Sequence, residues 1–295
     1  MPALLPLNQD GDKIEGNLRE TVDKSAGNRY NKDNEKQIGE TIMSFHTGLV
    51  SISFRRYSVD EIIAACREAG LEWIEWGSDV HVPAGNLTVA DEVAAKMKEA
   101  GLASMAYGSY FRLGQHPPAE FAPYIESAKH LGARVIRVWG GIKGSQETTE
   151  EERAKLIEDA RAIADMAEAA GLVVTLECHG GTITDDYKSG IAFYEAVDHP
   201  ALRAYWQPNQ CFDEAYNLTA AKLYVPRTEC LHVFQWSATA RYPLCEGREI
   251  WAKYLDIFSS AAKEREIGLL LEFMHDDRLE TLAETAKELK SWVEA

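Results

Sequence analysis

The sequence predicts an α/β protein: one (β/α)8 barrel over residues 43–295, preceded by an arm, residues 1–42, without regular structure. Three observations carry this. From Met43 onward, short runs rich in Val, Ile and aromatic residues alternate with longer segments of helical period, and strand alternating with helix implies parallel pairing with right-handed crossovers. Gly70, Gly101, Gly132 and Gly171 each follow a helical segment and lead into an apolar run, where glycine accepts the left-handed conformation that ends a helix. Eight such units in the 253 residues after position 42 come to about 32 residues each, the size of a βα repeat, and eight repeats close most simply into a barrel. The alternative is an open doubly wound sheet. The chain lacks both the G-x-G-x-x-G turn after its first strand and the G-x-x-x-x-G-K-[ST] loop of such sheets.

Taken in order, strands are expected at His46–Ser51, Trp73–Trp76, Ala103–Tyr107, Val135–Trp139, Val173–Glu177, Ala204–Gln207, Leu231–Gln235 and Leu269–Phe273, all rich in β-branched, leucine or aromatic side chains. The first helix, Val59–Ala69, opens on Ser58 with Glu61 at the capping-box position; Thr88 precedes Val89–Ala100, and Thr148 precedes Thr149–Ala170. The remaining helices, Ala119–Leu131, Tyr187–Ala196, Leu218–Tyr224, Ile250–Lys263 and Arg278–Glu294, rest on apolar period alone. The arm has eight acids and six bases among many Asn, Gly and Asp residues, a composition that favours a flexible segment or one laid over a surface.

Composition narrows the function classes. Lys and Arg total 31 against 47 Asp and Glu, a formal charge of −16, which disfavours nucleic acid and anionic membrane surfaces as partners. No run of eighteen apolar residues spans a membrane, and the first residues lack the basic region of a secretory signal. Five cysteines without a C-x-x-C pair fit reduced thiols, so a cytoplasmic protein is expected. Cys178 and Cys230 read as small buried apolar residues.

In a parallel barrel the reactive groups lie at the carboxyl ends of the strands. Two uninterrupted apolar strands end in acids, Val-Val-Thr-Leu-Glu177 and Gly-Leu-Leu-Leu-Glu272. Two carboxylates buried side by side repel each other and need a cation or a raised pKa. A divalent metal held by Glu177, Glu272, His232 and Gln207 meets that need, Mn²⁺ or Mg²⁺ before Co²⁺ or Zn²⁺. A two-residue shift of the seventh strand would put Phe234 where His232 is expected. Taken singly, His232 is as readily a satisfied core histidine and Gln207 a hydrogen-bonding residue.

Together these phrases resemble the xylose isomerase-like TIM barrel superfamily of sugar isomerases and epimerases, over about residues 43–295. The matching features are Ile-Glu75-Trp-Gly-Ser-Asp79-Val-His81, Ala-Tyr-Gly-Ser-Tyr110, Arg137-Val-Trp139-Gly-Gly, Leu-Glu177-Cys-His179-Gly-Gly, Tyr-Trp-Gln207-Pro-Asn209, His232-Val-Phe-Gln-Trp236, Arg241-Tyr-Pro-Leu and Leu-Leu-Glu272-Phe. The resemblance implies a metal on Glu, Asp, His and Glu of strands 5 to 8. This chain has Gln207 in place of the Asp, a neutral ligand that removes one negative charge. The implied chemistry is proton transfer next to a carbonyl, with Glu177 and Glu272 as acid and base. Glu75, His81, Tyr110, Arg137, Trp139, His179, Asn209, Trp236 and Arg241 are the expected substrate contacts, with Trp206 and Phe54 as further stacking faces.

The expected substrate is a small sugar or keto-sugar. It is unphosphorylated, since no Lys/Arg cluster marks the loops after strands 7 and 8. A homo-oligomer is compatible with the sequence. Two further readings stand beside the isomerase: a lyase that eliminates a β-leaving group from an oxidised sugar, and a non-catalytic sugar-binding barrel, motivated by the missing Asp.

Overall fold

The computed structural model describes residues 44–294; the expected arm, residues 1–42, lies outside the described residues. Eight parallel strands close a barrel in sequence order. They are β1 (Phe45–Val50), β2 (Trp73–Gly77), β3 (Ala103–Arg112), β4 (Val135–Trp139), β5 (Val173–Glu177), β6 (Leu202–Trp206), β7 (Thr228–Val233) and β8 (Ile267–Leu271). Each is followed by its helix: α1 (Val59–Ala69), α2 (Leu87–Ala100), α3 (Ala122–Leu131), α4 (Glu150–Ala169), α5 (Tyr187–Val197), α6 (Glu214–Tyr224), α7 (Arg248–Ala262) and α8 (Leu279–Val293). Among the described residues, no helix is long and apolar enough to cross a membrane.

The helix ends follow local chemistry. Ser58 and Glu61 form the expected capping box, and Gly70, Gly101, Gly132 and Gly171 all take positive φ. Two caps differ from expectation. Thr149, not Thr148, caps α4 through a reciprocal pair with Glu152, because the Thr148 hydroxyl is donated to Gly144 O at 2.9 Å. Asn86, not Thr88, accepts from the Val89 N–H and caps α2. Helix α6 begins at Glu214 rather than Leu218, because the Asp213 side chain accepts from the Tyr216 N–H.

Alternation along each strand divides the side chains into two layers. The larger lies between barrel and helices, with Trp76, Ile136, Leu176, Trp206 and Leu269 facing Ile62, Ile163, Phe193 and Phe258. The barrel interior holds a smaller apolar cluster that includes Trp73, Met105, Val135, Tyr205, Cys230 and Leu270. Two residues further along β2, β4, β7 and β8 come Glu75, Arg137, His232 and Glu272, and Glu177 ends β5 on the same face, all at most 6% exposed. The carboxyl end of the barrel is thus floored by ionisable groups on an apolar plug. Gly108 in β3 makes room for them: a Cβ there would lie 2.4 Å from Glu75 Oε1 and 2.8 Å from Arg137 Nη2.

Candidate metal centre and cleft

Three of the four expected ligands form one cluster. His232 Nδ1 lies 3.5 Å from Glu177 Oε1 and 3.4 Å from Glu272 Oε2, and ligand atoms of all three residues lie within 4.8 Å of one another. Gln207 Oε1 sits 2.6 Å from the same Nδ1, which places the amide oxygen at the cluster. The register of β7 presents His232, not Phe234; Phe234 is stacked on Trp236 at 3.8 Å.

The two carboxyl groups are held differently. Glu177 Oε2 accepts from Arg137 Nη1 at 2.5 Å and from Trp139 Nε1. Arg137 in turn meets Glu75 Oε1 through Nε at 2.9 Å and Nη2 at 2.8 Å. Burial opposes ionisation of Glu177, but Arg137 and His232 outweigh it and hold the carboxyl well below its ordinary range. For Glu272 burial wins, aided by the Glu177 charge against the opposing pull of His232, and its pKa rises. Burial also works against charge on His232, yet Glu272 and Glu177 raise it above the usual imidazole value.

This donor set fits a divalent cation. Ligand atoms each ~2.1 Å from one ion lie at most ~4.2 Å apart, and the two separations at Nδ1 satisfy that bound. Three buried carboxyl groups (Glu75, Glu177, Glu272) face one buried guanidinium (Arg137). Fully ionised, with neutral His232, that is −3 + 1 = −2, which a divalent ion brings to zero. An Asp at 207 would leave the site at −1.

The cluster opens into a cleft of about 810 Å³, walled by the loops after β4, β5 and β6 together with Trp236 and Phe273; Glu177, Gln207 and Glu272 line it and, among the described residues, no Lys or Arg does. His179, Asn209 and Trp236 are on this wall. Trp139 lies at the edge, its indole against the His179 ring at 5.3 Å and under the Arg112 guanidinium at 3.4 Å. Arg241 pairs with Asp277 at 2.5 Å and lies over the Phe273 and Trp236 rings. Tyr110 is further off: its hydroxyl donates to Asp79 and accepts from Arg55.

Several expected contacts are corrected. Glu75 and Arg137 lie beneath the cleft and are paired with each other, so they act on Glu177 rather than on a ligand. His81 is buried between Ser51 Oγ and Tyr57 O, 3.1 Å from each, and burial pushes its pKa down; it ties the β2–α2 loop to the segment after β1. Trp206 and Phe54 are core residues, at most 1% exposed, because strand alternation turns Trp206 out onto Tyr254 and Phe258.

Two features escaped sequence reasoning. Phe273, next to Glu272, has φ +41°, a conformation costly for a bulky residue. It is held by its N–H donating to Ser53 Oγ at 2.8 Å and by Trp236 Nε1 donating to its carbonyl at 3.0 Å. The outer cleft wall, residues 144–147 and 210–212, comes from irregular loops without a periodic signal.

The family model for the xylose isomerase-like TIM barrel matches residues 63–240. The chain is 28% identical over 170 residues to a 3-dehydroshikimate dehydratase of Bacillus anthracis, a match covering 52% of this chain and 59% of the relative, less than two thirds of its length. Among solved structures, a xylose isomerase-like TIM barrel protein from Mycobacterium smegmatis in complex with magnesium aligns with TM-score 0.65 and 17% identity, covering 84% of this chain and 96% of that one. An L-ribulose 3-epimerase aligns with TM-score 0.65 and 15% identity, covering 84% and 94%. At these identities the structural likeness bears on the fold. With more than half its length matched by the family model and its strands closed in the same barrel, the chain belongs to the xylose isomerase-like TIM barrel family.

Proposed function

We propose that this protein transfers a proton beside the carbonyl of an uncharged sugar, as a metal-dependent isomerase or epimerase. The observation that carries this reading is the buried Glu177–His232–Glu272 cluster at the floor of a cleft on whose wall, among the described residues, no Lys or Arg stands. Glu177, His232 and Glu272 would hold the metal, with Gln207 Oε1 as a fourth ligand; Mn²⁺ or Mg²⁺ suits this oxygen-rich set. When bound, such an ion polarises a carbonyl and acidifies the neighbouring C–H.

The residues then divide the work. Glu177, with Oε2 held by Arg137 and Trp139, is the fixed carboxylate and faces the cluster through Oε1. Glu272 meets His232 through Oε2, and its second oxygen takes the proton from one carbon; an isomerisation returns it to the adjacent carbon, while an epimerisation delivers a proton to the opposite face of the same carbon, the role of Glu177 through Oε1. His179 and Asn209 orient hydroxyl groups, and Trp236 presents a ring face to a sugar face. The neutral amide of Gln207 adds no repulsion against negative charge developing on a substrate oxygen.

A second reading, β-elimination, is favoured by the likeness to a dehydratase, and it begins with the same proton removal. Incubation with ketoses, aldoses and 3-keto-glycosides in D₂O separates the two. An isomerase or epimerase leaves the skeleton intact and places deuterium beside the carbonyl; a lyase yields an unsaturated product and a freed leaving group. Turnover unchanged in both Glu177→Gln and Glu272→Gln would overturn both readings, and a sugar bound without exchange, product or metal would leave a binding barrel.

A further inference from the structure

We propose that the outer lobe of the cleft is a second sugar subsite with Phe212 as its stacking platform, so that the substrate is an uncharged glycoside or disaccharide rather than a single ring. This rests on the reading that the metal end accepts a sugar. The cleft volume of about 810 Å³ is toward the upper end of the roughly 300–1,000 Å³ range of pockets that enclose drug-sized ligands. Its lining runs from Glu177, Gln207 and Glu272 to the loop residues 144–147 and 210–212.

Phe212 lines the cleft and is 47% exposed, one of few large apolar side chains in that state among the described residues. Its ring is held face to face against Tyr216, at 4.0 Å and 14°. Tyr216 is anchored in turn, its hydroxyl donating to Asp186 Oδ2 at 3.0 Å and accepting the Tyr187 N–H at 3.1 Å. One face of a fixed aromatic ring is therefore offered to the cleft, the surface on which the C–H face of a sugar stacks.

The surroundings match a polyol. Asp185, Asn209 and Ser145 line the same cleft, offering hydrogen-bonding groups to hydroxyls, and among the described residues no Lys or Arg lines it to pair with a phosphate. An aromatic face beside acceptor groups, in a lobe open to the metal end, is the chemistry that recognises a second sugar ring.

The test titrates Mg²⁺-loaded protein with D-glucose, maltose and cellobiose, followed by calorimetry and saturation-transfer NMR. At least one disaccharide should bind about tenfold tighter than glucose. Phe212→Ala should abolish that margin while leaving glucose affinity unchanged, and Phe212→Trp should retain it. Phe212 is exposed, so the variants should fold as wild type does. Equal affinity for one-ring and two-ring probes, a margin that survives Phe212→Ala, or a Phe212→Ala variant that changes only the association state would overturn the subsite. Deuterium exchange keeps the two proposals apart. Exchange without a Phe212-dependent margin removes the subsite alone, and a margin with neither exchange nor an isomerised product retains the subsite and removes the isomerase.

Discussion

The two ends of the barrel each pair buried acid with arginine, with opposite stoichiometry. At the amino end, Glu229 is 6% exposed and faces three guanidiniums: Arg203 at 2.9 Å, Arg134 at 3.4 Å and Arg265 at 3.8 Å. At the carboxyl end, Glu75, Glu177 and Glu272 share one guanidinium, Arg137. The first cluster is saturated by protein groups and serves to hold β4, β6, β7 and the approach to β8 together. The second is two positive charges short. Leaving buried carboxylates unbalanced is expensive, so this end must take up charge, through protons on Glu272 and His232, both with raised pKa values, or, in the proposed reading, through a divalent cation. The same asymmetry separates the stabilising from the reactive face in barrels of this kind.

The sharpest way to break this comparison is to neutralise one acid at each end. Glu272→Gln should lower turnover by ~10²-fold or more and reduce metal occupancy, measured by steady-state rates and elemental analysis. In the metal-free protein it should raise stability, because it relieves repulsion from Glu177. Glu229→Gln should do the reverse. Denaturant unfolding should reveal a loss of about 1–3 kcal/mol, the scale for hydrogen bonds to a charged group, since the three arginines left behind are partly exposed, while metal content stays unchanged. Similar responses at the two ends would dissolve the distinction.

Metal removal comes next. Chelation should lower the unfolding midpoint, and a divalent ion at 100 times its dissociation constant should return about 2.7 kcal/mol. The metal-free protein should also lose stability from about pH 5 to about pH 8. Glu272 and His232 both have raised folded pKa values. The folded state therefore binds protons that the unfolded state has released, and stability present below the unfolded pKa values is lost as pH rises through the folded ones. Glu177 is held low, so its stabilising contribution is already complete in that window. Glu272→Gln or saturating metal should flatten the profile; a profile that persists in both would locate the titration elsewhere.

The smallest effect is expected at position 207. Gln207→Asp should tighten metal binding by about tenfold, near 1.4 kcal/mol, because a charged ligand replaces a neutral one. It should also slow turnover, since the site would then carry a net negative charge where substrate oxygen becomes negative. Isothermal titration and rates on the same preparation check the pair, and weaker metal binding in Gln207→Asp would place the amide outside the ligand set.

Much of the reactive end was legible because it follows from period and polarity. An acid ending an uninterrupted apolar strand, as at Glu177 and Glu272, has few structural uses, and the period of two that places Leu270 inside the barrel carries Glu272 to the same face. The eight-unit count closed the barrel correctly, and strand β5 falls at its expected limits. Arg137 was legible as a polar residue at a strand end but not in its partner. Whether it reaches a ligand or an acid depends on what β2 and β3 place beside it, here Glu75 and the side-chain-free Gly108.

From the sequence alone came the barrel and the strand-end acids and histidine that meet in one buried cluster. These depend on local propensity and on alternation along a single strand, which are properties of neighbouring residues. Only the tertiary structure decided that His232 rather than Phe234 enters the cluster, that His81 is tied to the segment after β1, that Trp206 faces the helices, and that Phe212 stands open on the cleft. Each depends on contacts between segments tens of residues apart, set by strand register and loop packing, which no periodicity along the chain encodes.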